Sequence, residues 1–133
     1  MDSTLTEKIV EAAVEVHQLL GGPGLLESIY ESALCHELGL RGIHTQRQIP
    51  IPVIYKSAFV RDPLYLDILV ENKLIIEVKA TGKDYHIYQI QLATYLRLTK
   101  ISCGILINFG KEYVKEGISH VLNPTMELAG LCS

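Results

Sequence analysis

The sequence predicts an α/β (α+β) domain in which helices flank a small mixed sheet, and three observations carry that prediction. Apolar residues recur at about the helical period of 3.6 in two stretches before residue 40. Between residues 48 and 79 they come instead as short alternating or continuous runs, the pattern of strands. A third helical stretch then leads into an apolar run at Ser102–Asn108, so a strand–helix–strand unit follows the strand cluster.

The elements follow in order. Thr4 and Glu7 fit a capping box ahead of Ile9, Val10, Ala13, Val14, His17 and Leu20, which repeat at helical spacing. Gly21-Gly22-Pro23-Gly24 ends that helix. A second helix is predicted from about Leu25 to Leu38, with Leu26, Ile29, Tyr30, Ala33 and Leu34 inward and Gly39 and Gly42 closing it. Gln48–Tyr55 alternates, with Ile49, Ile51, Val53 and Tyr55 on one face. Pro50 and Pro52 cannot donate to a ladder and place this strand at an exposed edge. Leu64–Val70 and Leu74–Lys79 read as a hairpin across the turn Glu71-Asn72-Lys73. A helix of about Tyr85–Leu98, the strand Ser102–Asn108 and a short strand at Gly117–Leu122 complete the chain.

At 133 residues the chain has the length of one domain, expected to span 1–133. Hydrophobic residues make up 48% and charged residues 20%, which places the chain among ordinary globular proteins rather than disordered ones. No apolar run approaches the roughly 20 residues of a membrane span, and Met1–Glu15 lacks a secretory layout, so no membrane role is expected. Cys35, Cys103 and Cys132 are odd in number and without CxxC spacing, and read as free thiols of a cytoplasmic protein. His17, His36, His44, His86 and His120 are scattered and read as surface or satisfied core residues. The net charge of −3 argues against bulk attraction to nucleic acid. Its distribution is uneven: residues 1–40 hold one basic and seven acidic side chains, net −6, and residues 41–115 hold eleven and six, net +5.

Two carboxylates interrupt strands that otherwise look buried. Asp67 sits in Tyr-Leu-Asp-Ile-Leu-Val and Glu77 in Leu-Ile-Ile-Glu-Val-Lys. A lone buried carboxylate is costly, so such groups have cationic or metal partners. In a strand Glu77 and Lys79 share a face, with Cα atoms about 6.6 Å apart. A three-residue turn at Glu71-Asn72-Lys73 pairs Val70 with Leu74, and hence Asp67 with Glu77 on that face; a two-residue turn pairs Asp67 with Val78 instead. An odd loop is therefore expected, or an even one with a bulge. Hard oxygen ligands so placed suit Mg²⁺ or Mn²⁺. From spacing alone, a structural Glu–Lys pair at a sheet rim remains the commoner case.

Gly24-Leu25-Leu26-Glu27-Ser28-Ile29-Tyr30 matches the signature of the GxxExxY protein family, a PD-(D/E)XK nuclease-like group. The resemblance continues through Leu66–Glu71, Ile76–Ala80, Gln91–Leu96 and Gly104–Gly110, and covers the chain from about Ile9 to Val121. It implies a restriction-endonuclease-like core: helix, three-stranded antiparallel meander, helix and strand around a metal site. By that resemblance Asp67 and Glu77 bind the metal, with the Val78 carbonyl as a further ligand and Glu27 as the acidic residue of the preceding helix. Lys79 matches the motif lysine that orients the attacking water, and Gln91 with Tyr95 matches a glutamine–tyrosine pair beside the site. Leu66 stands where the motif name has proline.

The implied activity is Mg²⁺- or Mn²⁺-dependent hydrolysis of phosphodiester bonds in DNA or RNA, with a homodimer expected where two strands need two sites. The rival expectation is a catalytically silent nucleic-acid- or protein-binding module that keeps the fold, favoured by the pI of 5.9 and the small size. Glu27 is also readable as a first-turn dipole or capping residue, and Tyr30 equally as packing. Gly21–Gly24 and Thr81-Gly82-Lys83 lack the GK[ST] ending of a phosphate loop.

Overall fold

The structure, a computed structural model, describes residues 4–125. Helix α1 (Leu5–Leu19) starts where Thr4 Oγ1 accepts from the Glu7 amide at 3.1 Å, satisfying one of the orphan donors of the first turn. Helix α2 (Glu27–Leu40) packs beside it, followed by β1 (Thr45–Ile51), β2 (Ile54–Tyr55), β3 (Ala58–Phe59), β4 (Leu64–Val70) and β5 (Leu74–Lys79). Helix α3 (His86–Thr99), β6 (Cys103–Asn108), a single 3₁₀ turn (Val114–Gly117) and β7 (Ile118–Leu122) complete it. The predicted α+β class is the observed one.

One five-stranded mixed sheet runs in the order β1-β4-β5-β6-β7. Strands β1, β4 and β5 form the antiparallel meander; β6 lies parallel to β5 because α3 carries the chain back across the sheet. Ile9, Ala13, Tyr30 and Leu34 of α1 and α2 bury against Ile68, Ile76, Ile105 and Ile107 on one face. Leu92 and Leu96 of α3 bury against Leu66, Ile75 and Leu106 on the other. Among the described residues no helix is long and apolar enough to cross a membrane. Cys35 and Cys103 are free thiols, while Cys132 lies outside the described residues.

Two expectations change. The strand expected at Gln48–Tyr55 begins earlier, at Thr45, and stops at Ile51. It is an edge strand, as the prolines require, but Ile54–Tyr55 pairs with Ala58–Phe59 in a separate two-stranded ribbon. Its turn is Lys56-Ser57, both in the left-handed region at φ 49° and 67°. Glycine or asparagine ordinarily marks such a turn, so the sequence carried no signal for it. Helix α2 also starts later than expected. Leu26 precedes it in extended backbone and is exposed, as is Ile29. The inward stripe is Tyr30, Glu31, Leu34 and Leu38, so a carboxylate takes the inward place expected for isoleucine. His17 is a satisfied core histidine, its Nε2 3.1 Å from the Phe109 carbonyl.

Candidate functional site

Strands β4 and β5 begin as the turn dictates. Glu71-Asn72-Lys73 is a three-residue loop, with Glu71 and Asn72 at φ 52° and 57°, and Val70 pairs with Leu74, Leu69 with Ile75 and Ile68 with Ile76. Beyond that rung the strands part, and side chains take over the backbone hydrogen bonds. The Val78 amide donates to Asp67 Oδ2 at 2.8 Å, and the Asp67 amide donates to Glu77 Oε1 at 3.2 Å. The register that sets Asp67 opposite Glu77 thus holds both carboxylates in the gap.

The same position breaks the neighbouring ladder. Arg47 pairs with Ile68 and Ile49 with Leu66, but the rung between, Gln48 and Asp67, is missing. Gln48 adopts φ 50°, left-handed backbone that a glutamine rarely occupies. In consequence the strand faces switch. Leu66 packs toward α3 and Ile68 toward α1 and α2, although residues two apart in a regular strand share a face. Asp67 is the pivot of that switch.

Burial pushes the Glu77 carboxyl up to about 9, and the Asp67 charge beside it pushes the same way. Lys79 lowers it only weakly, its amine resting over the Tyr88 ring 4.5 Å from the centroid. A buried carboxyl and a half-buried one thus stand side by side, with no ion pair of 4 Å or less to either among the described residues. Two hard oxygen donors in a half-solvated gap fit a divalent cation such as Mg²⁺, which keeps several waters and needs one or two carboxylates. Among the described residues no three His, Cys, Asp or Glu side chains gather as a metal-holding group.

A cavity of about 560 Å³ opens beside the pair, lined by Asp67, Val78 and Gln48 from the sheet and by Glu27, Ser28 and Glu31 from α2. Glu27 therefore lines the cavity that Asp67 lines, without joining the carboxylate pair. Its place is fixed from behind. Gly24 turns at φ 118°, and the buried Tyr30 stacks on Phe109 at 4.7 Å. The Tyr30 hydroxyl donates to the Gly22 carbonyl at 2.7 Å and accepts from the Leu25 amide at 3.1 Å. Tyr30 is a clasp on the loop that delivers Glu27.

The sequence reading missed Glu31, 5% exposed, whose Oε2 accepts from Arg47 at 2.7 Å and whose Oε1 accepts from the Gln48 amide at 2.9 Å. The Gln48 amide also reaches Asp67 Oδ1 at 3.5 Å, linking the helix to the candidate site. The available signal was the four-residue spacing of Glu27 and Glu31, which puts both on one helix face. On the opposite layer Tyr95 is half-buried on α3. Its phenol is pushed up by burial and by the charges of Glu77 and Asp67, and pulled down by Arg61. Gln91, one turn earlier, is exposed.

A family model described as the PD-(D/E)XK nuclease superfamily matches residues 3–121. Curated proteins yield no significant match. Among solved structures, one titled "Crystal structure of SSO0001" aligns over 99% of this chain and 84% of that chain, with a TM-score of 0.45 and 17% identity.

Proposed function

Because this chain belongs to the PD-(D/E)XK nuclease superfamily, we propose that it is a divalent-metal-dependent nuclease hydrolysing phosphodiester bonds of DNA or RNA. What carries this reading is the meeting of Asp67 and Glu77 where β4 and β5 part, with Glu77 pushed up to about 9 by burial and by the Asp67 charge. The segment Gly24–Tyr30, a turn, a cavity-facing acid and a clasp, supports the finer assignment to the GxxExxY family.

In this reading Asp67 and Glu77 hold Mg²⁺ or Mn²⁺, with the Val78 carbonyl and Glu27 available to complete the oxygen set. The bound ion supplies Lewis-acid polarisation of the phosphate and lowers the pKa of water. Lys79, one alternation from Glu77 on the same strand, leaves the Tyr88 ring to meet phosphate oxygens and orient the attacking water. Gln91 and Tyr95, one turn apart on α3, flank the reacting phosphate from the other layer. Gln48 and Glu31 hold Asp67 in place.

The test is cleavage of single- and double-stranded DNA and RNA by wild type, Lys79→Ala and Asp67→Asn from parallel preparations, with Mg²⁺, Mn²⁺ or chelator. Metal-dependent cleavage by wild type is expected, reduced at least a hundredfold in both variants. Equal cleavage by all three assigns it to a contaminant. No cleavage under any metal leaves the binding-module reading, in which the fold recognises nucleic acid or protein without turnover.

A further inference from the structure

The ribbon of β2 and β3 is the part of the molecule that the sheet does not explain. It grows from the ends of β1 at Ile51 and β4 at Leu64, extended by a Val60-to-Val53 backbone hydrogen bond of 3.2 Å. Because β4 and β5 are antiparallel, the Leu64 end of β4 lies at the Lys79 end of β5. The ribbon therefore projects from the end of the sheet that carries the carboxylate pair, with Leu64 three residues from Asp67. Its surface is unusual for so small an element. Phe59 is 75% exposed and Tyr55 62%, with Ile54 and Val60 exposed beside them. Ile54 pairs with Phe59 and Tyr55 with Ala58, so the two rings stand on opposite faces of the ribbon. Lys56 holds its amine 5.4 Å from the Tyr55 ring centroid, and Arg61 lies close enough to the site to act on the Tyr95 phenol. Over residues 52–65 those two cations face a single acid, Asp62.

We propose that this ribbon is a stacking arm for single-stranded nucleic acid, seating unpaired bases on Tyr55 and Phe59 while Lys56 and Arg61 take the adjoining phosphates. The proposal rests on the nuclease reading for the destination of the strand, the carboxylate gap at the ribbon's root. Planar rings accept the face of any base, so recognition is tolerant of sequence, and a duplex hides those faces inside its own stack. Cations beside the rings complement the phosphates, and their small number keeps the salt dependence shallow. Two phosphate contacts on a single strand give a slope of about −1.4 in log K against log salt.

The chain has no tryptophan, which supplies a direct test. Full-length Phe59→Trp is titrated with oligo-dT, oligo-U and a duplex of equal length in chelator, so that nothing is cut. Quenching of the new indole fluorescence by both single strands, and not by the duplex, is expected. In parallel, Tyr55→Ala and Phe59→Ala each weaken single-strand binding of the wild type by roughly tenfold, and Lys56→Ala with Arg61→Ala flattens the salt slope. Unquenched fluorescence with unaltered affinity of the alanine variants overturns the arm. So does sedimentation showing that the ribbon holds two copies of the chain together and that Phe59→Ala merely separates them. Single-strand binding without cleavage leaves the arm and removes the nuclease. Cleavage indifferent to the ribbon variants does the reverse.

Discussion

Glu77 ties its own chemistry to the stability of the protein. Its carboxyl titrates near 9 in the folded protein against 4.5 in the unfolded chain. Between those values the folded state keeps a proton that the unfolded state releases, so raising the pH favours unfolding. The stabilisation is complete below pH about 4.5 and is lost as pH rises through about 9. In chelator the melting temperature of the wild type should therefore fall across this window, and Glu77→Gln should remove most of that slope. A variant that tracks the wild type at every pH would show that Glu77 is already ionised. In the proposed reading a divalent cation would bind the ionised pair, so its uptake should release a proton and tighten as pH rises.

At the scale of elements, the broken rung between β1 and β4 is held by α2. Glu31 reaches from the helix to Arg47 and Gln48 on either side of the break, and Gln48 passes the contact to Asp67. Removing Arg47 leaves a buried carboxylate with one neutral partner. Arg47→Ala should cost about 1–3 kcal/mol in urea denaturation, the cost of an unsatisfied buried polar group and less than that of breaking a fully buried pair, because Arg47 is partly exposed. Adding Glu31→Gln to Arg47→Ala should recover part of that loss, since no charge then needs burying; a strictly additive double variant would refute the pairing. This is also where sequence reading stopped. Alternation showed Leu64–Val70 and Leu74–Lys79, because a period of two is a local fact, while loop parity narrowed the facing of Asp67 to two cases that the three-residue turn decides. The break at Gln48 is not local. It is held by Glu31 seventeen residues away, and a glutamine in left-handed backbone leaves no mark on a pattern of polar and apolar letters.

For the whole molecule, the layers were legible because each helix and strand declares its buried face by period, and the crossover by α3 sets β5 parallel to β6. The two-stranded ribbon and the inward turn of Glu31 were not, since one depends on two residues with no turn signature and the other on where α2 starts. A site at the end of a sheet joins layers that otherwise meet only through its strands. Ion binding should accordingly stabilise the molecule as a whole. A free Mg²⁺ concentration of a hundred times Kd adds about 2.7 kcal/mol, seen as a higher melting temperature in the wild type and no shift in Asp67→Asn. A wild type indifferent to Mg²⁺ and Mn²⁺ would set the metal reading aside.

The two carboxylates that would receive an ion already engage the main chain, Asp67 through Oδ2 with the Val78 amide and Glu77 through Oε1 with the Asp67 amide. Two backbone protons therefore sit one bond away from the event of interest. Loading the site must polarise or release them, so the amide resonances of Asp67 and Val78 are built-in reporters of occupancy, readable by nuclear magnetic resonance without substrate or turnover.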